Sequence, residues 1–482
     1  MLKKFFLTNS SGILCSRVAG FVRDLLSASV LGSGLYSDIF FVAFKFPNLF
    51  RRIFAEGAFS QSFLPAFISS RYKGAFLLGI FGLFSLFLCA LVLIVSHFRL
   101  FFTKLLAFGF SPHAIELAKD IVAINFYYLL LVFWATFFGA LLQYKNHFWV
   151  SAYHTILLNL AMICALVWHK NDHLLEVVRA LSYGVLWGGC AQVCLHFYPL
   201  YRLGFFKLFG IGAYSLLHAS PAQQATIKQE RRHFFKQFFP SVLGNSASQI
   251  SAFIDTLLAS FLATGSISYL YYANRIFQLP LALFAIATST ALFPTIARAI
   301  KNNDSDKAIT HLKQAFEFLA AMLLICTLGG VFLAKDIIAL LFERGQFGAQ
   351  DAAQCSKVFC AYLVGLTPFG VAKIFALWLY AHKEQGRAAK IALISLIFGT
   401  LCSLALMPTL HASGLALSSS LSGFVLCGLY LRTFGFKRFL GMISLSKCAF
   451  LGLLLGLEAV ILALFVGVLQ TFKAWIFLHH LF

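Results

Sequence analysis

Between Phe76 and Val95 the chain reads FLLGIFGLFSLFLCALVLIV, without one charged side chain. A run of about 18 apolar residues is long enough to cross the hydrocarbon core of a bilayer. In lipid every backbone N–H and C=O has to be paired inside the segment, which makes a single span of this kind a helix. Similar windows recur along all 482 residues. Composition closes the argument, with 60% hydrophobic residues, 11% charged residues and a mean hydropathy of +0.85. A soluble domain of this length needs a far more charged surface. The fold class is all-α, a polytopic membrane protein.

The formal net charge of +21 would suggest nucleic acid in a soluble chain. Here Lys and Arg gather in alternate connecting segments, on the side that faces an anionic inner leaflet. With the N-terminus in the cytosol, inside loops hold roughly three times as many Lys and Arg as outside loops. That excludes a nucleic-acid partner and makes anionic phospholipids the natural counterpart of the charge. The eleven cysteines lie mostly in apolar runs without ligand-like spacing, so they read as small hydrophobes. The opening MLKKFFLTNSSG is followed by two arginines and an aspartate, and reads as a retained first helix.

Thirteen spans emerge from this map, an odd number that agrees with the charge alternation. Residues 1–202 hold six spans. Residues 203–239 read as a cytosolic linker ending in an interfacial amphipathic helix, with Phe234, Phe235, Phe238 and Phe239 turned to lipid. Residues 240–434 hold six more spans, and 435–482 an extra C-terminal helix with a short apolar tail. FGFSPHAIELAKD reads as a short surface helix begun at Ser111–Pro112. The chain also repeats itself. YSDIFFVAFKFPNLF from Tyr36 lies over YLYYANRIFQLPLAL from Tyr269, with Pro47 on Pro280 and Lys45 on Gln278. Two copies of one six-helix unit give two pseudo-symmetric lobes around a central cavity, the plan of many alternating-access transporters.

Ionic groups in spans this apolar face one another, a solvent cavity or a charged substrate. The stretch Ile13–Phe67 carries Arg17, Arg23, Asp24, Asp38, Lys45, Arg51, Arg52 and Glu56. Arg17 and Asp24 are seven residues apart and share a helix face, and Arg23 reaches the same cavity from its edge. Arg51 follows Pro47 and, in the second copy, Arg275 precedes Pro280, so arginines of facing lobes would meet at one level. Guanidinium forks suit phosphate oxygens, and three of them fit a pyrophosphate. The structural alternative makes Arg17–Asp24 and Arg52–Glu56 ion pairs that fix helix packing. For Arg52–Glu56, spaced i and i+4, we take the structural reading. Asp255 in the seventh span is either a cation ligand or a pairing group. No nucleotide loop, metal motif or nucleophile–base set is present, so the chain reads as a transporter and not an enzyme.

SRVAGFVRD (Ser16–Asp24), SDIFFVAFKFPNLFRRIFAEGAFSQSFLPAF (Ser37–Phe67) and YYANRIFQLPLALFAIATSTALFP (Tyr271–Pro294) closely resemble the MurJ/MviN family. These are lipid II flippases of the multidrug/oligosaccharidyl-lipid/polysaccharide exporter superfamily. The resemblance implies a V-shaped pair of lobes around a cationic cavity, which takes lipid II at the cytosolic leaflet and presents its headgroup outside. Carried over by position, it makes Arg17, Arg23, Arg51 and Arg275 the essential arginines and Asp24, Asp38 and Glu56 the acidic residues of the substrate site. It implies coupling to the membrane potential or to sodium, with Asp255 as the acidic residue of a sodium site, and no other cofactor. It also implies a monomer in the bacterial inner membrane, working beside cell-wall synthesis proteins. Two departures stand out. HKEQGRAAK (His382–Lys390) replaces the family's D-T-K-T-P, and thirteen spans replace the family's fourteen. The alternatives are an exporter of another polyprenyl-linked oligosaccharide, and a non-transporting scaffold for cell-wall synthesis.

Overall fold

A computed structural model describes the backbone of residues 2–53 and 59–479, with side chains over 11–12, 14–52, 59–242 and 249–466. The described chain is helical almost throughout and divides into two compact units, Met1–Gly265 and Ser266–Phe482.

The first unit contains α1 (Leu2–Leu31), α2 (Leu35–Ile53), α3 (Phe59–Ser69), α4 (Lys73–His97), α5 (Arg99–Leu106) and α6 (Pro112–Phe126). It continues through α7 (Tyr128–Tyr144), α8 (Trp149–Trp168), α9 (Leu174–Arg202), α10 (Phe205–His218) and α11 (Pro221–Ala259). Helices α8 and α9 pack closely because Gly188 has no Cβ. One placed there would lie 2.7 Å from the Leu158 backbone. Small residues at such crossings let backbones approach, which is the main attraction available between helices in lipid. Ser111 caps α6 as the sequence suggests, accepting from the Ala114 N–H at 3.2 Å with Pro112 in the first turn. The helix it starts is longer than expected, because Pro112–Tyr144 forms one 33-residue apolar span. The short helix of that connector is α5.

An aromatic core binds this unit. Phe59, Phe63 and Phe67 lie one turn apart along α3 and stack at 5.1 and 5.4 Å between centroids. Phe234 and Phe238 of α11 close over them, at 0% and 3% exposure. The expectation that all four phenylalanines of 234–239 meet lipid is thus corrected. Phe234 and Phe238 are core residues, Phe235 is partly buried, and Phe239 faces outward at 60% exposure. Helix α11 runs unbroken for 39 residues through Pro240, from a Ser220–Gln223 capping box. The interfacial stretch and the seventh span are therefore one rod. Anchored by its phenylalanines, the span packs within the first unit, whereas the sequence map places its residues, from 240 on, in the second lobe.

The second unit contains α12 (Ser266–Pro280), a π-helical turn Leu281–Ile286, α13 (Ala287–Lys301), α14 (Ser305–Phe332), α15 (Ala334–Phe342) and α16 (Ala349–Leu363). It ends with α17 (Leu366–Ala381), α18 (Gln385–Phe434), α19 (Phe436–Met442) and α20 (Leu445–His479). Proline 280 removes an N–H at the point where the π-helical turn begins. Helix α18 holds two spans broken at His411, whose φ of 51° and ψ of −132° are not helical. Helix α20 packs on α14, where the Lys447 ammonium meets the Glu317 carboxylate at 2.6 Å. Glu458 of α20 lies against Gly329 of α14.

Among the described residues, nine segments are long and apolar enough to cross a membrane by length and composition alone. They do not include α1, α2–α3 or α11, and α18 is counted once although it holds two spans. Ionic side chains concentrate in α1 and α2, which lowers their hydropathy.

Candidate binding site

Arg23 and Asp24 lie deep in the first unit, at 7% and 1% exposure. The Arg23 guanidinium donates from Nε and Nη2 to Asp24 Oδ1 at 3.1 and 2.6 Å, and from Nη1 to Asn159 Oδ1 at 3.0 Å. Met162 Sδ lies 3.7 Å from the same Nη1. Asn159 in turn donates to the Ser16 and Thr155 carbonyls at 3.2 and 3.3 Å, so the cluster ties α1 to α8. Burying a charge is tolerated when it is paired and its remaining donors are satisfied. Of the two readings of Arg17 and Asp24, the ion pair between them does not form. Asp24 pairs with its neighbour Arg23, while Arg17 is exposed.

Asp38 sits in the first turn of α2, where a carboxylate complements the helix dipole. At 3% exposure it accepts the Gly265 N–H at 2.7 Å. Gly265 has a φ of +95°, a conformation open to glycine, so Asp38 holds the turn that follows α11. Arg51 is half-buried near the end of α2, and its Nε and Nη2 each donate to Asn48 Oδ1 at 3.2 Å. It lies within electrostatic range of Tyr128 and His154, and Arg23 also reaches Tyr128. The first unit thus brings Arg23 and Arg51 to one region. Glu56 lies outside the described residues. In the second unit the Arg275 guanidinium lies over the Tyr271 ring, 5.9 Å from its centroid, on a half-buried face of α12.

Asp255 faces the Lys45 ammonium, with Arg52 nearby. The Lys45 ammonium gives the pairing reading of Asp255 a partner. Among the described residues no group of three or more His, Cys, Asp or Glu side chains could hold a metal.

A polar cluster that the sequence reading left unassembled lies in the same unit. The Tyr128 hydroxyl donates to Gln192 Oε1 at 3.3 Å, and the Gln192 carbonyl contacts His196 Nδ1 at 2.7 Å. Its signal was present as two polar residues, Gln192 and His196, spaced i and i+4 in an apolar span.

Comparison with known proteins places this arrangement. A family model described as "Lipid II flippase MurJ" matches residues 27–482. A protein of Helicobacter pylori named probable lipid II flippase MurJ is 54% identical over 455 residues, covering 94% of this chain and 97% of that protein. The like-named protein of Buchnera aphidicola from Acyrthosiphon pisum is 32% identical over 438 residues, covering 88% and 82%. A solved lipid II flippase MurJ in an inward closed conformation superposes with a TM-score of 0.76 at 25% identity, over 97% of this chain and 99% of that one. An inward-facing multidrug transporter of the MATE family shares the fold alone, with a TM-score of 0.68 at 11% identity over 89% and 95% of the two chains.

Proposed function

The chain belongs to the lipid II flippase MurJ family, and from that premise we propose that it carries lipid II from the cytosolic to the outer leaflet by alternating access. Lipid II is a polyprenyl pyrophosphate bearing the peptidoglycan precursor, and its headgroup cannot enter hydrocarbon unshielded. The observation that carries the reading is the set of guanidinium groups in otherwise apolar helices: Arg17 exposed on α1, Arg51 half-buried on α2 and Arg275 half-buried on α12. Each presents a planar fork of donors suited to paired phosphate oxygens. Asp24 and Asn159 hold Arg23 in place, and this cluster positions α1 against α8. Asp38 keeps the turn after α11 in shape. No bond is made or broken, so the protein is a carrier and not an enzyme.

The protein is multi-pass in the membrane. Its place is the bacterial inner membrane with the N-terminus in the cytosol, an orientation supported by the clustering of Lys and Arg in alternate loops. Movement of an anionic headgroup outward runs with an inside-negative potential, which supplies about 2.3 kcal/mol per charge per 100 mV. That makes the potential the favoured source of coupling. Anionic phospholipids and cell-wall synthesis proteins are its expected neighbours.

The test is leaflet accessibility of lipid II in cells depleted of their own flippase and expressing this chain, beside Arg17→Ala and Arg275→Ala. Lipid II is expected outside only with the unaltered protein. If no version moves it while all insert, the substrate assignment is wrong.

A further inference from the structure

His196 is fully buried, and its Nδ1 lies 2.7 Å from the Gln192 carbonyl. A carbonyl only accepts, so Nδ1 carries the hydrogen and Nε2 keeps its lone pair. The same holds for His154, whose Nδ1 lies 3.0 Å from the Ser151 carbonyl. The two rings are 5.5 Å apart between centroids, with His154 partly buried and His196 enclosed. Three buried polar atoms here lack a hydrogen-bond partner: Ser151 Oγ, Gln192 Nε2 and His196 Nε2. The first and third converge beside Gly139, where an added Cβ would stand 3.1 Å from Ser151 Oγ and 3.5 Å from His196 Nε2. Unpartnered polar atoms gathered in one enclosed place call for a small hydrogen-bonding occupant.

The charges around this cluster define what that occupant does. Arg51 of α2 lies within electrostatic range of His154. Helix α7 contributes Tyr128, bonded to Gln192, and α1 contributes Arg23, already paired with Asp24 and within range of Tyr128. Phe138 of α7 covers the His196 ring. Two imidazolium rings at this separation would repel, so the pair accommodates a single proton.

We infer that His154 and His196, with Ser151 and Gln192, form a proton-binding site that fills when an anionic headgroup reaches Arg51. This rests on the flippase reading, which brings the pyrophosphate to that arginine. Its negative charge beside His154 favours a charged ring, and the proton moves from solvent to the free Nε2 of one histidine, with water in the cluster bridging the rings. When the headgroup leaves, the proton leaves with it, because the coupling of two ligands is reciprocal.

The experiment mixes the purified full chain with undecaprenyl pyrophosphate in weakly buffered detergent and records lipid binding and proton uptake together. We expect about one proton taken up per bound lipid. Uptake is lost in His154→Asn and His196→Asn, and reduced in Gly139→Ala, whose methyl occupies the space between the rings' polar partners. Asparagine retains a donor near the Nδ1 position but cannot take the proton. Lipid binding without proton uptake, or with uptake unchanged in all three variants, shows that the cluster holds water alone and overturns the inference while leaving the flippase reading in place. Absence of lipid binding by the unaltered protein overturns both.

Discussion

Arg17 and Arg23 lie on one helix, yet their surroundings give them different roles. Arg23 is buried and paired, and Asp24→Asn removes the charge that balances it. Breaking one side of a buried ion pair costs about 3–5 kcal/mol, so this variant should unfold at clearly lower temperature in detergent. Arg17 is exposed, and Arg17→Ala should leave the unfolding temperature in place while abolishing lipid II translocation. A stable Asp24→Asn protein would show that the pair is not a packing element. The sequence made both arginines visible, since charge inside a membrane span is conspicuous. It did not reveal their partners. Helical spacing favours residues three, four or seven apart, whereas the observed pair joins neighbours through the length and flexibility of an arginine side chain.

Among the elements, α11 departs furthest from its reading. Its apolar seventh span was legible from hydropathy, but the attachment of its first half depends on tertiary packing that no local pattern encodes. Phe234 and Phe239 look alike in sequence, and only the α3 phenylalanines decide which one is enclosed. Phe234→Ala should lower stability by on the order of 3 kcal/mol, and Phe239→Ala should leave it nearly unchanged, as measured by thermal unfolding. The kink of α18 offers a second check. His411 has a φ of 51°, where a side chain is strained and glycine is not. His411→Gly should therefore raise the unfolding temperature, and a fall would mean that the histidine side chain stabilises the bend.

For the whole molecule, the multi-pass helical architecture was readable because lipid imposes helices on apolar runs. If the membrane potential drives the outward step, collapsing it should slow the appearance of lipid II outside, and unchanged transport would exclude the potential as the source. The adjacency of Arg23 and Asp24 bears also on how such a chain is made. Asn159, the other acceptor of this arginine, lies 136 residues further along and emerges from the ribosome much later. A cation that depended on it alone would enter the bilayer unaccompanied. Because its carboxylate partner is the very next residue, α1 reaches the insertion machinery with this pair of charges already able to cancel, and the amide of α8 completes the shell only when the later helices arrive.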